Sequence, residues 1–236
     1  MHPVLIFQHS PTEGPGYFAT FLDRHNIPWR LIGIDAGEAV PENLNGISGL
    51  CLMGGPMSVN DDLPWIAPEL ELIRQAVATD RPVIGHCLGG QLMAKALGGA
   101  VSPAPIKEIG WGDIRITDAA AARAWLGESA HPLPAFHWHG ETFSLPPGAT
   151  RILESAYCAN QAYVLNDRHI GMQCHVEMTP ELIASWCESG AGEIRDSRGP
   201  GVQSPDLIQA DMPTRTTQLH QVADKIYSRW IQGLIR

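Results

Sequence analysis

The stretch Gly85-His86-Cys87-Leu88-Gly89 has the residue types and the spacing of a nucleophile site. A short apolar run opened by a proline, 81–84, precedes it, and helix-forming residues follow it until Gly98-Gly99 ends the pattern. The flanking glycines permit a sharp strand-to-helix turn, and the helix start directs backbone N–H groups and a positive dipole end at the sulfur. This placement favours a reactive thiolate at Cys87. A buried structural thiol is the alternative for the cysteine considered alone.

A cysteine nucleophile needs a histidine within hydrogen-bond reach, and usually a third group that holds the imidazole. Among the ten histidines, His175 is the best candidate, because residues two apart on an extended segment share a side and Glu177 then lies beside it. Cys87, His175 and Glu177 form the predicted triad. This order differs from the nucleophile, acid, histidine order of α/β-hydrolases, which weighs against that class. A core histidine and a solvated carboxylate are the alternatives for the two partners taken singly.

Alternating apolar runs and helical stretches predict how these residues are positioned. Because the runs are short and the intervening stretches have helical spacing, the first half of the chain reads as parallel strands joined by crossovers. The predicted strands cover 4–7, 31–34, 49–53 and 83–86, and the predicted helices cover 17–25 and 68–78.

The second half of the chain has a different pattern of predicted elements. Thr179-Pro180-Glu181 has a cap residue and a first-turn proline, so a helix is predicted through about Cys187. The Gly- and Ser-rich segment 189–205 is predicted to be a loop, and an apolar stripe predicts a long helix from Thr214 to the end. Short strands of an antiparallel extension are predicted at 106–116, 135–139, 151–156, 160–165 and 169–175.

The predicted fold class is therefore α/β, with a mostly parallel doubly wound sheet, an antiparallel extension and a C-terminal helix. We expect a single domain over 1–236, in which 186–236 is a loop and helical C-terminal extension, since 236 residues with 44% hydrophobic composition suffice for one core.

Composition excludes several classes of partner. The net charge of −9, with only 16 scattered Lys and Arg, argues against nucleic acid. No apolar run approaches the roughly 20 residues that span a bilayer, and the N-terminus does not read as a signal peptide. Five cysteines without C-x-x-C spacing favour reduced thiols. We therefore expect a soluble, cytoplasmic protein with neither nucleic acid nor membrane as a partner.

Three separated segments, 85–91, Gly54-Gly55-Pro56-Met57-Ser58-Val59 and 173–177, together resemble class I glutamine amidotransferases. The likeness is closest to the amidotransferase domain of GMP synthase and its stand-alone relatives, and it covers roughly positions 4 to 185. A fourth segment, Phe136-His137-Trp138-His139-Gly140-Glu141, resembles the family loop whose backbone contacts the glutamine side chain.

The resemblance implies that Cys87 attacks the γ-carboxamide carbon of glutamine. Backbone N–H groups near Gly55 and Leu88 would then hold the oxyanion. His175 would give a proton to the departing ammonia and afterwards activate water, while Glu177 orients its ring.

The resemblance also implies a set of substrate contacts and no cofactor. His137 and His139 alternate as a metal pair would, and we predict no metal there. A role for Glu13 at the rim of the pocket is a weaker suggestion. The predicted substrate-binding residues are Gly54, Gln91, His139 and Gly140.

Three positions depart from the family pattern, which more often has an aliphatic residue at His86, a larger one at Gly90 and proline at Val176. None removes a member of the triad. His86 is expected on the opposite strand face from the nucleophile, so packing is favoured over catalysis.

The predicted function is a glutaminase-type amidotransferase that releases ammonia through a cysteinyl γ-glutamyl thioester. An autonomous γ-glutamyl peptidase or hydrolase is the first alternative, because the same chemistry serves any γ-glutamyl amide. A non-catalytic regulatory module is the second. Nothing after position 185 resembles a synthase domain, so the ammonia acceptor, a separate synthase partner and the oligomeric state are left open by the sequence.

Overall fold

The computed structural model describes residues 2–117, 119–128 and 132–235. Nine strands form one sheet. They are β1 (Val4–Gln8), β2 (Trp29–Gly33), β3 (Gly49–Leu52), β4 (Val83–His86), β5 (Val101–Ile116), β6 (Leu133–Phe143), β7 (Thr150–Ser155), β8 (Ala162–Leu165) and β9 (His169–Met172).

Helices occupy much of the sequence between and after these strands. They are α1 (Gly16–Arg24), α2 (Ile66–Ala78), α3 (Leu88–Ala96), α4 (Ala120–Leu126), α5 (Pro180–Ser189), α6 (Ala191–Asp196), α7 (Pro205–Gln209) and α8 (Met212–Trp230), followed by a 3-10 turn at Ile231–Gly233. None of the helices that the structure describes is both long enough and apolar enough to cross a membrane.

The strand order is β2-β1-β3-β4-β9-β8-β7-β5-β6. The first five strands in this order pair in parallel, and the pairings from β9 to β6 are antiparallel. Helix α1 joins the parallel neighbours β1 and β2 and helix α2 joins β3 and β4, whereas the tight turn between β8 and β9 reverses the chain and makes an antiparallel pair. The predicted fold class, including the antiparallel extension and the C-terminal helix, is confirmed.

Helices pack on both faces of the sheet through apolar side chains. On one face, Phe18 of α1 packs with Tyr227 and Trp230 of α8. On the other face, Leu72 of α2 and Leu92 of α3 belong to a second buried cluster. The apolar stripe on α8 is thus explained by burial against the sheet, which is the usual source of helix stability in a folded protein.

Two predictions about the C-terminal part need correction. The segment 189–205 was expected to be a loop, but it contains α6, which buries Ile194 and so forms despite its glycine. The last long helix ends at Trp230 rather than at the chain end, because a 3-10 turn follows it; Arg236 lies outside the described residues. The predicted N-terminus of α5 is confirmed, with the Thr179 hydroxyl accepting a hydrogen bond from the Leu182 N–H at 3.3 Å.

The antiparallel extension is longer than the sequence pattern suggested. β5 begins at Val101, before Pro103 and Pro105, and pairs with β6 on both sides of a register shift between Pro103 and Glu108. The irregularity accommodates prolines, which have no N–H for the ladder. As a result β6 is also extended, to Leu133–Phe143.

Candidate active site

Cys87 occupies the turn between β4 and α3 in a backbone conformation that L-residues rarely adopt. Its φ is 48° and its ψ is −106°. Such a conformation costs free energy and persists only where the surroundings impose it. Here the turn is so tight that a Cβ on Gly85 would collide with the backbone of Gly89. The sequence therefore needs glycine on both sides of the cysteine, as the nucleophile-elbow interpretation requires.

Backbone N–H groups of Gly55 and Leu88 are available beside the cysteine. Leu88 is the first residue of α3, where N–H groups have no partner within the helix. Gly55 lies in the loop after β3, and an added Cβ there would lie 2.7 Å from the Leu88 side chain. Neither N–H donates a backbone hydrogen bond in the described part of the chain. Gly55 thus packs against the Leu88 side chain at the start of α3, and both N–H groups are free among the described residues.

His175 and Glu177 form a short, buried pair. The His175 Nδ1 atom lies 2.6 Å from Oε1 of Glu177, and each residue is almost fully buried. Backbone bonds between His175 and Phe136 of β6 fix this segment, with His175 N–H donating to the Phe136 carbonyl at 2.8 Å. The Trp186 ring packs edge-on against the imidazole at 4.9 Å between centroids.

The electrostatics of this pair favour an imidazolium. Burial lowers the pKa of His175, but the charges of Glu177 and Cys87 outweigh burial and raise this pKa well above its ordinary value. Burial likewise raises the pKa of the Glu177 carboxyl, and the neighbouring His175 and His86 rings reverse this and lower it. His175 is therefore suited to give a proton from its Nε2, which has no hydrogen-bond partner among the described residues.

His86 contacts Glu177 from the interior of the protein. Its Nε2 is 3.0 Å from the Tyr227 hydroxyl and 3.9 Å from Oε2 of Glu177. The ring is fully buried and packs against Phe18, as expected for a packing residue. Burial lowers the pKa of His86, and the charge of Glu177 opposes this effect. The contact of His86 with Tyr227 is not predictable from the sequence, because no local pattern links β4 to α8.

Gln91 does not contact Cys87 directly but hydrogen-bonds to Gln173, which contacts the sulfur. The Gln91 side-chain amide donates to Oε1 of Gln173 at 3.1 Å, and the Gln173 amide lies 3.4 Å from the Cys87 sulfur. Sequence reasoning assigned Gln91 to substrate placement and gave Gln173 no role. The motif 173–177 contains this residue, so its position was available as a signal.

A buried polar network lies beneath the segment 136–141. His139 Nε2 lies 3.0 Å from Glu108, and His139 Nδ1 lies 3.0 Å from the Glu141 carbonyl. The two oxygens fix the orientation of the His139 ring. Burial raises the pKa of the Glu108 carboxyl, but hydrogen bonds from His139 and Ser155 and the charge of His137 reverse this and lower it.

His137 and His139, which alternate along β6, both belong to this network. Together with Glu108 they present three ligand atoms within 4.8 Å of one another. Gln161 donates to Glu108 at 2.8 Å and lies 3.3 Å from Nδ1 of His137. Hydrogen bonds thus join Glu108, His139 and Gln161 in one buried network, in which Nε2 of His137 and Oε1 of Gln161 have no hydrogen-bond partner among the described residues.

The sulfur of Cys87 faces an open cleft of about 630 Å³. Of the predicted site residues, His175, Glu177, Gly54 and Leu88 lie behind its wall. Trp138, Trp186 and Glu193 of α6 also line the cleft, and the Cys87 sulfur lies 3.7 Å from the Trp138 carbonyl oxygen. The predicted residues that line the cleft are Cys87, Gly55, Gln91, His139 and Gly140; other lining residues include Glu13, Lys107 and Glu193.

The segment that includes α6 closes one side of the cleft. Glu193 accepts a hydrogen bond from the Trp138 indole at 2.8 Å and pairs with Lys107 at 2.7 Å. Gly190 lies so close to the Trp138 ring that a Cβ there would collide with it. Sequence analysis predicted a loop here and therefore missed this wall.

Comparison with known proteins agrees with this geometry. The family model described as glutamine amidotransferase class-I matches residues 27–185, and the chain belongs to this family. It is similar to the glutamine amidotransferase-like protein YfeJ of Salmonella typhimurium, with 33% identity over 196 residues, 81% of this chain and 82% of the relative. The resemblance inferred from the four motifs is confirmed.

Two further comparisons cover most of the chain. Gamma-glutamyl peptidase 3 of Arabidopsis thaliana is 26% identical over 178 residues, which is 71% of each protein. The crystal structure of a glutamine amido transferase from Methylobacillus flagellatus superimposes with a TM-score of 0.97 and is 47% identical, covering 100% of this chain and 96% of that one.

Proposed function

We propose that this protein hydrolyses the γ-amide of glutamine through a thioester on Cys87. The observation that supports this most directly is the position of Cys87, held in a strained turn on the cleft wall with the His175–Glu177 pair buried behind it. Membership of the class I family supports the same chemistry.

In the first half of the reaction, the Cys87 sulfur attacks the γ-carboxamide carbon. The developing oxyanion accepts hydrogen bonds from the free N–H groups of Gly55 and Leu88, and one such donor contributes about 10²–10³-fold in rate. The carbon–nitrogen bond then breaks, and His175 gives its Nε2 proton to the nitrogen, which leaves as ammonia.

In the second half, neutral His175 takes a proton from water, which attacks the thioester and releases glutamate. Glu177 keeps the ring oriented and stabilises the imidazolium that this step regenerates. The product thiolate and the imidazolium then form the starting ion pair again. In this cycle no cofactor is required.

The remaining predicted residues hold the substrate. Gly54 lies behind the cleft wall and leaves room for the Glu13 carboxyl there, and Gln91 orients the Gln173 amide towards the sulfur. His139 and Gly140 line the same cleft and contact the substrate.

Ammonia release from glutamine by the purified protein tests the proposal, with Cys87→Ser as the inactive comparison. Turnover by the wild type and its loss in a folded Cys87→Ser protein are expected. Failure to release ammonia, alone or with a candidate synthase as a separate partner chain, contradicts the proposal and favours a regulatory module. The cytoplasmic location predicted from the sequence would keep the thiol reduced.

The open cleft favours a second candidate, hydrolysis of γ-glutamyl peptides. Trp138 and Trp186 give the cleft an apolar side, and Lys107 offers a cation at its edge, so a residue attached to the γ-amide nitrogen has room and contacts. Competition between glutamine and γ-glutamyl dipeptides measures the choice. A higher kcat/KM for the dipeptides assigns the protein to peptide hydrolysis.

A further inference from the structure

Glu13 is a cleft carboxylate that the triad and its supporting network do not use. It lies in the loop between β1 and α1, where its N–H donates to the Ser10 carbonyl at 3.0 Å. The side chain is half-buried and lines the cleft. In the described part of the chain its carboxyl group has neither a hydrogen-bond donor nor an ion-pair partner. An unpartnered carboxyl group of this kind is available to a ligand.

The carboxyl group of Glu13 occupies the space over Gly54. A Cβ added to Gly54 would collide with Oε2 of Glu13 and would lie 3.3 Å from Cε1 of His175. The Glu13 carboxyl and the edge of the catalytic imidazole therefore flank the same point of the cleft wall. Because His175 gives its proton to the departing nitrogen in the proposed function, that nitrogen leaves on the Glu13 side.

Charged groups on several elements face Glu13. Burial has the largest effect and raises the pKa of the Glu13 carboxyl. The charges of His175 and His9 lower this pKa, and those of Glu177 and Glu193 raise it. The resulting pKa is about 7. Both the acid and the carboxylate are therefore populated near neutral pH, which is the condition for efficient proton transfer.

We propose that Glu13 receives the leaving amine of a γ-glutamyl amide, giving it a proton and holding the resulting ammonium as an ion pair. This proposal rests on the proposed function. When the thioester forms, the carbon–nitrogen bond breaks and the nitrogen takes a proton from His175. The neutral amine then takes the Glu13 carboxyl proton, which leaves a carboxylate beside an ammonium cation. After the cation diffuses away, solvent returns a proton to Glu13.

This role defines a class of substrate and a fate for the product. A basic leaving amine, such as ammonia or the amine of an amino acid, is protonated at Glu13, whereas a weakly basic aromatic amine has little affinity for the proton. An ammonium cation is not a nucleophile. Glu13 therefore directs the nitrogen to solvent, as in a hydrolase, and away from transfer to an acceptor.

Glu13→Gln tests this with two substrates that share the γ-glutamyl group. We expect kcat/KM for glutamine to fall by about 10²-fold, because an amine that stays neutral in the cleft can attack the thioester again and re-form glutamine. For γ-glutamyl-p-nitroanilide, whose leaving amine is weakly basic, we expect a change of less than about 3-fold, and this activity also shows that the variant is folded. The wild-type rate for glutamine should fall as the pH rises through about 7, and the variant should lose this dependence.

The matched control is Glu42→Gln, which changes an exposed carboxylate outside the cleft and should leave both rates unchanged. Equal losses on both substrates would overturn the proposal, because they would assign Glu13 to the shared γ-glutamyl group. Unchanged rates would overturn it as well. Wild-type inactivity on both substrates would instead contradict the proposed function itself, so the two failures are distinguished by the wild-type rates.

Discussion

The Nδ1 atom of His175 lies 2.6 Å from Oε1 of Glu177, although a single residue separates them in the sequence. The extended segment after β9 makes this contact, because side chains two apart share a side. Backbone bonds to Phe136 hold the segment in place. The histidine and its orienting acid are therefore supplied by one short segment, and Cys87 is brought to them from β4.

Glu177→Gln should lower kcat by on the order of 10²–10⁴-fold, since the amide neither stabilises an imidazolium nor fixes the tautomer. The carboxylate raises the pKa of His175, so its loss lowers that pKa. Activity that depends on the imidazolium should then fall at a lower pH than in the wild type. A pH series of kcat/KM measures this, and an unchanged profile would contradict the role given to Glu177.

Tyr227→Phe should destabilise the protein by about 1–2 kcal/mol, because the buried Nε2 of His86 loses its hydrogen bond. We expect a smaller loss of activity, transmitted through the 3.9 Å contact between His86 and Glu177. Urea unfolding gives the first quantity and ammonia release the second. A loss of activity larger than that of Glu177→Gln would argue that α8 has a different role.

Glu108→Ala should cost about 3 kcal/mol, because the buried His139 ring, Ser155 hydroxyl and Gln161 amide each lose a hydrogen bond to this carboxylate. Ser155→Ala removes one donor from the same carboxylate and should cost about 1 kcal/mol. Urea unfolding of both variants provides the comparison. Equal and small losses would contradict the assignment of Glu108 as the acceptor that joins these side chains.

Glu13→Gln should stabilise the protein at alkaline pH. The folded pKa of about 7 lies above the ordinary 4.5, so the wild type loses stability as the pH rises from about 4.5 to about 7. The variant lacks this loss. Between about pH 4.5 and about pH 7, its free energy of unfolding should therefore rise by on the order of 1–3 kcal/mol relative to that of the wild type. The difference in free energy of unfolding, measured at pH 4 and pH 8, checks the sign. A difference independent of pH would mean that Glu13 ionises normally.

The parts of the site that follow from local spacing could be predicted from the sequence. The turn at Cys87 follows from its glycines, and the His175–Glu177 contact follows from the period of an extended segment. The placement of Glu13 over Gly54 and of Tyr227 against His86 could not be predicted. Both depend on how separate elements pack, and neither partner is marked by a pattern in its own segment.

In the fold, likewise, the short helices depend on tertiary contacts that local sequence does not predict. α6 was predicted as part of a loop, because its glycine and short length give little helical signal. It forms where Ile194 is buried and Glu193 meets Trp138, which are tertiary contacts. Parallel strands, in contrast, were predicted well, since their continuous apolar runs reflect burial on both faces.

The central claim, that Cys87 is the nucleophile, is tested most directly by labelling the folded protein with a thiol-reactive glutamine analogue and locating the modified residue by mass spectrometry. Burial raises the pKa of Cys51, Cys158, Cys174 and Cys187, which makes these thiols poor nucleophiles. The account predicts one label, on Cys87, and protection by excess glutamine. A label on another cysteine, or none on the folded protein, would contradict it.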